Sequence, residues 1–242
     1  MTRSPRLAAL LLALALTGCG GGGSSPKAEP TTPSPTPSPT PTLPPLATDQ
    51  ANAKAALVTA KELGAPFVEP KGGKVNEVKH AKDELCPGHK SEYALFKPRT
   101  DPVKRMTEGT KQGAGIVSFA VRVYGLGQEQ QWRDAADQAE KACASWKAAE
   151  GNYVTLEMLT SPPPVPGADE TRGHVERVWA DAKHTQLQYV RHYFEARTGR
   201  VVSTLEYAYL VPKTDPTGKD TRRTVALLAK QVAKTKRVFG LA

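Results

Sequence analysis

The chain reads as an α+β domain: an antiparallel sheet with helices packed mainly on one side, reached through a disordered Pro-rich tether. Three patterns predict this. Apolar residues alternate with a period of two between Gly115 and Tyr124, and again on both sides of Thr198-Gly199. A helical period governs two stretches, 129–149 and 220–237. The segment from Pro26 to Leu46 holds nine prolines in Thr-Pro and Ser-Pro units, so it cannot build a core and is expected to be extended coil.

At the N-terminus, Arg3 and Arg6 precede the apolar run Leu7 to Leu16. That run is too short to span a bilayer, which takes about 20 apolar residues. It ends in Leu16-Thr17-Gly18-Cys19, which resembles the lipobox of bacterial lipoprotein signal peptides. Residues 1–18 are then a signal peptide, and Cys19 carries the lipid. Two acyl chains suffice for stable anchoring where one is marginal. Residues 19–48 form the linker: flexible Gly/Ser from Gly20 to Ser25, then the proline repeat. At about 3.1 Å per residue, that repeat reaches roughly 60 Å.

Residues 49–242 are expected to form one domain. Asp49 is placed to N-cap a helix running to Leu63, with Gly64 ending it. From Phe67 to Asp101 the chain is rich in Lys, Gly and Pro and reads as a long irregular region containing Cys86. Val103–Glu108 and Gly115–Tyr124 read as a hairpin. The longest helical pattern runs from Glu129 to Ala149, ended by Gly151, with Trp132, Ala136, Ala139, Cys143 and Trp146 on one face. Asn152–Thr160 and Glu170–Ala180 are expected strands. Gln186–Ala196 and Arg200–Val211 form a second hairpin. Its register groups Val190, His192, Phe194 and Ala196 with Val201, Ser203, Leu205 and Tyr207, and sets Arg191 opposite Glu206. A final helix runs from about Asp220 to Arg237, with Val225, Leu228 and Val232 inward and Lys230, Lys234 and Arg237 outward.

This order of elements resembles the PknH-like extracellular sensor domain family, found on actinobacterial receptor kinases and related lipoproteins. The resemblance is carried by Ala56-Leu57-Val58-Thr59-Ala60-Lys61-Glu62-Leu63-Gly64, the Cys86 loop, Ala139…Cys143…Trp146, and the strand Val201–Tyr209 before a C-terminal helix. It implies an extracytoplasmic sensor-type fold around a central cleft. Family members usually carry two disulfides, whereas this chain has cysteines for one.

Composition narrows the function classes. With Cys19 lipidated, Cys86 and Cys143 remain, and in an oxidising compartment they are expected to pair. A buried free thiol at Cys143 and an intermolecular bridge through Cys86 are the alternatives. The formal net charge of +9 fits anionic wall polymers or lipid headgroups, and at this address not nucleic acid. No His-Glu-x-x-His occurs, and Cys86-Pro87-Gly88-His89 with His80 lacks a fourth ligand, so neither metal nor cofactor is expected. Gly109–Gly115 lacks the Gly-Lys-Ser/Thr order of a phosphate loop and reads as a turn. No Gly-x-Ser-x-Gly nucleophile motif occurs. His192 and Tyr207 are the candidates for lining a cleft, and His192 on an apolar strand face also fits a hydrogen-bonded core residue.

The expectation is a membrane-anchored cell-surface lipoprotein on the extracytoplasmic face. Its non-enzymatic, sensor-like domain binds a small ligand or an anionic wall polymer. A lipid or glycolipid carrier of the envelope is the alternative, and a wall hydrolase with dispersed catalytic residues is a third class.

Overall fold

The computed structural model describes residues 42–70, 76–77, 97–110, 113–147, 152–159, 161–210 and 217–242. Cys19, Cys86, and the signal and tether residues before 42 lie outside them. The period of two at Gly115–Val123 belongs to β4 (Gly113–Val123), which lies near the middle of the sheet. β3 (Pro102–Thr110) pairs with it antiparallel, Thr110 opposite Gly113. The Gly-rich stretch is therefore ladder at Gly109, Thr110 and from Gly113 to Gly115, and residues 111–112 lie outside the described residues. β9 (Val201–Leu210) pairs with the other side of β4. Beyond it lie β8 (Leu187–Thr198), β7 (Glu170–Trp179), β6 (Tyr153–Met158) and β5 (Ser145–Lys147). Two short strands, β1 (Phe67–Val68) and β2 (Asn76–Glu77), edge β3. Among the described residues the sheet has nine strands, ordered β1-β3-β4-β9-β8-β7-β6-β5 with β2 also on β3. Every pairing is antiparallel.

The fold is α+β, with the helices mainly on one side. α1 (Leu46–Ala56), the short α2 (Ala60–Leu63) and the long α4 (Thr217–Phe239) cover the inner face. There Met106, Val117, Phe119, Phe194, Leu205 and Leu228 form the main core. α3 (Gln128–Ala142) serves the outer face, where Trp132 packs with Tyr124 and Val202. Arg172 of β7 reaches the carbonyl of Arg133 and the carboxylate of Asp137 on α3. Gly173 is required by close approach on the inner face, since a Cβ there would lie 2.7 Å from the Phe194 ring.

Four expectations change. The helix expected from Asp49 to Leu63 is two helices, because Thr59 and Glu62 form a capping box that starts α2. Pro45 stands at the N-cap of α1, and Asp49 inside its first turn is buried against Arg200 and Arg99. The helix expected to reach Ala149 ends at Ala142, and Trp146 lies on β5 opposite Val154. Leu156 donates to the carbonyl of Ala144, so edge pairing with β6 wins over helical period. The region after Phe67 supplies the edge strands β1 and β2. In the last hairpin, Thr198 pairs with Val201 around Gly199-Arg200, with Gly199 at φ 55°. Arg191 is therefore opposite Ala208, and Tyr193 opposite Glu206. A slip of two keeps every side chain on its face. The slip sets His192 opposite Tyr207, where the expected register has Leu205, and Arg191 still reaches Glu206 diagonally at 3.2 Å.

The break between α1 and α2 exposes backbone groups that the helices cannot satisfy. Gln231 of α4, fully buried, satisfies two of them: its Oε1 accepts from Val58 N–H at 3.0 Å and its Nε2 donates to the Ala56 carbonyl at 2.8 Å. Lys234 donates to the carbonyl of Leu57 and to Glu62, and Lys230 to the carbonyl of Leu63. Burial raises the pKa of Glu62, but hydrogen bonds from Lys234 and Thr59 outweigh it and hold the carboxyl below its ordinary value. Its contribution to stability is thus present above the unfolded pKa and fades as pH falls through the lower folded one. Gln231→Leu keeps the volume but orphans two buried backbone groups. Each costs about 1–3 kcal/mol, so denaturant unfolding is expected to show a loss of roughly 3 kcal/mol. A loss under about 1 kcal/mol would show that the break is satisfied without Gln231.

Candidate functional site: a polar floor on the outer sheet face

On the central strands, alternate residues point to the face opposite the main core. Those of β7, β8 and β9 there are mostly charged or hydroxylated, and several are buried. Arg122 of β4 reaches across β9 toward β8. Its Nη1 donates to Glu195 Oε1 at 2.8 Å and to the Tyr193 hydroxyl at 3.0 Å, while its Nε donates to Asp101 at 3.2 Å. The Tyr193 hydroxyl in turn donates to Glu195 at 2.7 Å. Next to this knot, His174 of β7 stacks on Tyr193, centroids 4.8 Å apart. Its Nε2 lies 3.5 Å from Glu176, which also holds Arg191 at 3.0 Å. Arg122, His174, Glu176 and Glu195 are all under one-tenth exposed.

Two hydroxyls complete the floor. Ser118 of β4 pairs with Glu206 in the ladder and Thr204 of β9 with Ala120, so they are diagonal neighbours on adjacent strands. Ser118 is 7% exposed and Thr204 3%. Among the described residues, neither Oγ of Ser118 nor Oγ1 of Thr204 has a hydrogen-bond partner. Buried hydroxyls in that state cost stability of the order of 1–3 kcal/mol each, which a polar ligand would relieve. No group of three or more His, Cys, Asp or Glu among the described residues could hold a metal ion.

The sequence-predicted residues lie elsewhere. His192 and Tyr207 do meet, as a direct cross-strand pair, but on the inner face that α4 helps to cover. They are 0% and 4% exposed. The Tyr207 hydroxyl donates to buried Glu108 at 2.7 Å, and Arg223 of α4 pairs with the same carboxylate and lies over the Tyr207 ring. His192 stacks on Tyr209, with Nε2 3.2 Å from the Tyr209 hydroxyl. Cys143 is 1% exposed, immediately after the last residue of α3. Cys19 and Cys86 lie outside the described residues. Sequence reasoning missed the floor, although charged and polar residues recur at every second position in Glu170, Arg172, His174, Glu176 and again in Arg191, Tyr193, Glu195, Arg197. That second alternation was the signal available.

No family model matches this chain. No curated protein matches it either. Among solved structures it is similar to the extracellular domain of PknH from Mycobacterium tuberculosis, at 13% identity and a TM-score of 0.48, covering 78% of this chain and 96% of that one. It is also similar to an uncharacterised protein of Mycobacterium smegmatis, an ortholog of Rv0999, at 18% identity and a TM-score of 0.41, covering 76% and 96%. Neither likeness carries a function to this chain.

The Arg122–Glu195 contact is buried, so removing one partner leaves an uncompensated charge. Arg122→Met is expected to lose about 3 kcal/mol in denaturant unfolding. The double variant Arg122→Met with Glu195→Leu should recover at least about half of that, because both charges are then gone. A double variant as unstable as the single would mean that Asp101 or Tyr193, rather than Glu195, holds the arginine in place.

Proposed function

We propose that this chain is a cell-surface lipoprotein, anchored through Cys19 on the extracytoplasmic face, whose domain binds a small polar ligand without turning it over. The observation that carries the binding reading is the polar floor, with its paired ions and its two buried hydroxyls that have no partner among the described residues. The address rests on Arg3, Arg6, the apolar run and Leu16-Thr17-Gly18-Cys19, with the proline repeat as spacer. The non-enzymatic reading is supported by the pairing of the floor's described acids with arginines and a tyrosine hydroxyl. No helix among the described residues is long and apolar enough to cross a membrane.

Cys86 and Cys143 are proposed to form a disulfide that pins the Cys86 segment near the end of α3. The burial of Cys143 at that position supports it. Such a bond closes a loop of some 57 residues and stabilises by roughly 4 kcal/mol in the chain-entropy account.

Three measurements test this reading. Cys19→Ser should abolish incorporation of labelled fatty acid and leave the precursor unprocessed; continued labelling would remove the anchor. Thiol titration of the unfolded, unreduced Cys19→Ser chain should find no free thiol and a monomer on a non-reducing gel, whereas two thiols or a reducible dimer would rule out the bond. Native mass spectrometry of the same protein should show a co-purifying small polar ligand that Ser118→Val with Thr204→Val releases. A ligand that the double variant retains would move the site away from the floor, and a clean apo mass would count against ligand binding.

A further inference from the structure

The helical layer on the inner side of the sheet carries a charge bias that its own contacts do not explain. From Thr221 to Ala242 the chain has Arg222, Arg223, Lys230, Lys234, Lys236 and Arg237 and no acid. Three of these have structural work. Arg223 pairs with Glu108, Lys234 holds the α1–α2 break, and Lys230 holds the C-terminal carbonyl of α2. Arg222, Lys236 and Arg237 have no acidic partner among the described residues. Lys54 of α1 and Lys61 of α2, both exposed, are in the same position. The two acids of α1 and α2 are taken: Asp49 is buried against Arg200 and Arg99, and Glu62 is bound by Lys234.

The exposed positions of α4 fall in a line: Arg222, Ala226, Lys230, Ala233 and Arg237, at spacings of four, four, three and four. At about 1.5 Å per residue, this stripe runs for roughly 22 Å. Its cations are separated by alanines, so it is a shallow track with charge at intervals. Helix-dipole compensation accounts for the bases in last turns, Lys236 and Arg237 of α4, Lys54 of α1 and Lys61 of α2, but not for Arg222 or Lys230.

We propose that this stripe, with Lys61 beside it in the same layer, binds a linear polyanion of the cell wall. The surface lacks what a membrane-binding helix needs: its exposed line holds no Trp, Phe or Leu to insert between lipids. A flexible polyanion needs only spaced cations along a smooth track, and it releases counterions when it docks. The source of the polymer rests on the extracytoplasmic address proposed above; the binding itself does not, because it is measured in solution. The surface is separate from the polar floor, which lies on the other face of the sheet.

The full chain carrying Cys19→Ser is titrated with a poly(glycerol phosphate) of defined length, and separately with vesicles containing an anionic phospholipid. Lys61→Gln, Arg222→Gln and Arg237→Gln are combined in one variant. The control variant combines Arg105→Gln, Lys141→Gln and Lys183→Gln, three exposed bases on β3, α3 and the β7–β8 connection, with the same loss of net charge. The expected result is polymer binding that weakens steeply with salt, falls by about tenfold or more in the helical variant and changes by less than about twofold in the control. Amide exchange protection on adding polymer to the parent chain should then concentrate in α4, which checks the surface without any substitution. Equal weakening in both variants would reduce the effect to net charge and overturn the proposal. So would absence of polymer binding, or vesicle binding that depends on the helical bases while the polymer does not bind. Loss of acylation sensitivity at Cys19 would overturn the address alone and leave the polymer titration standing.

Discussion

The pairing of β4 with β9 is the constraint on which the rest of this domain depends. It joins strands about eighty residues apart, and it welds the β3–β4 hairpin to the β5-to-β9 half of the sheet. Residues Val117 to Val123 are buried without a break, so this strand is covered on both faces. An antiparallel sheet usually leaves one face to water. Here the inner face is covered by α1 and α4 over an apolar core, and the outer face carries a layer of paired ions. The twofold period of a strand allows both in the same residues, since neighbours in sequence point to opposite sides.

The two faces obey different energetics. On the inner face, burial of Phe119, Phe194, Leu205, Leu228 and their neighbours is the main favourable term, at about 25 cal/mol per Å² of apolar surface. Polar groups there are met by specific partners, as with Gln231 at the α1–α2 break, Tyr207 and Arg223 on Glu108, and Ser203 with Thr235. On the outer face the order is reversed. Arg122, Glu195, His174 and Glu176 are costly to desolvate and recover that cost through one another and through Asp101, Tyr193 and Arg191. Apolar residues of similar size would stabilise the sheet as well or better. Ser118 and Thr204 add to that cost, because their hydroxyls have no partner among the described residues. His192 and Tyr207, by contrast, are explained by packing and hydrogen bonding within the core.

The N-terminal end of the domain shows how a distant helix decides a local outcome. Residues 49–63 have the spacing of one helix, yet Thr59 and Glu62 cap a new one and the chain breaks at Leu57 and Val58. A break in a buried position is tolerable only if its backbone groups are met. Gln231 and Lys234, about 170 residues away, meet them, and Lys230 does the same for the Leu63 carbonyl at the end of α2. The burial of Asp49 is of the same kind, because a residue suited to an N-cap is taken instead by Arg200 and Arg99.

What the sequence by itself determined is whatever depends on near neighbours. Alternation over Gly115–Val123, a hairpin turn at Gly199, the helical period of 220–237 and the proline repeat each report a local preference, and the first three appear in the structure as β4, the β8–β9 hairpin with its turn one residue later than expected, and α4. The inner faces of β8 and β9 were legible for the same reason, and a slip of two residues did not disturb them. What only the tertiary structure decided involves partners far apart in sequence. The end of α3 at Ala142 depends on β5 finding β6. The polar floor depends on Arg122 reaching over β9 to residues more than seventy positions away. A charged residue on a strand's second face looks the same in sequence whether it meets water or another buried charge. The sheet order decides between them, and sheet order is set by long-range pairing that no local period encodes.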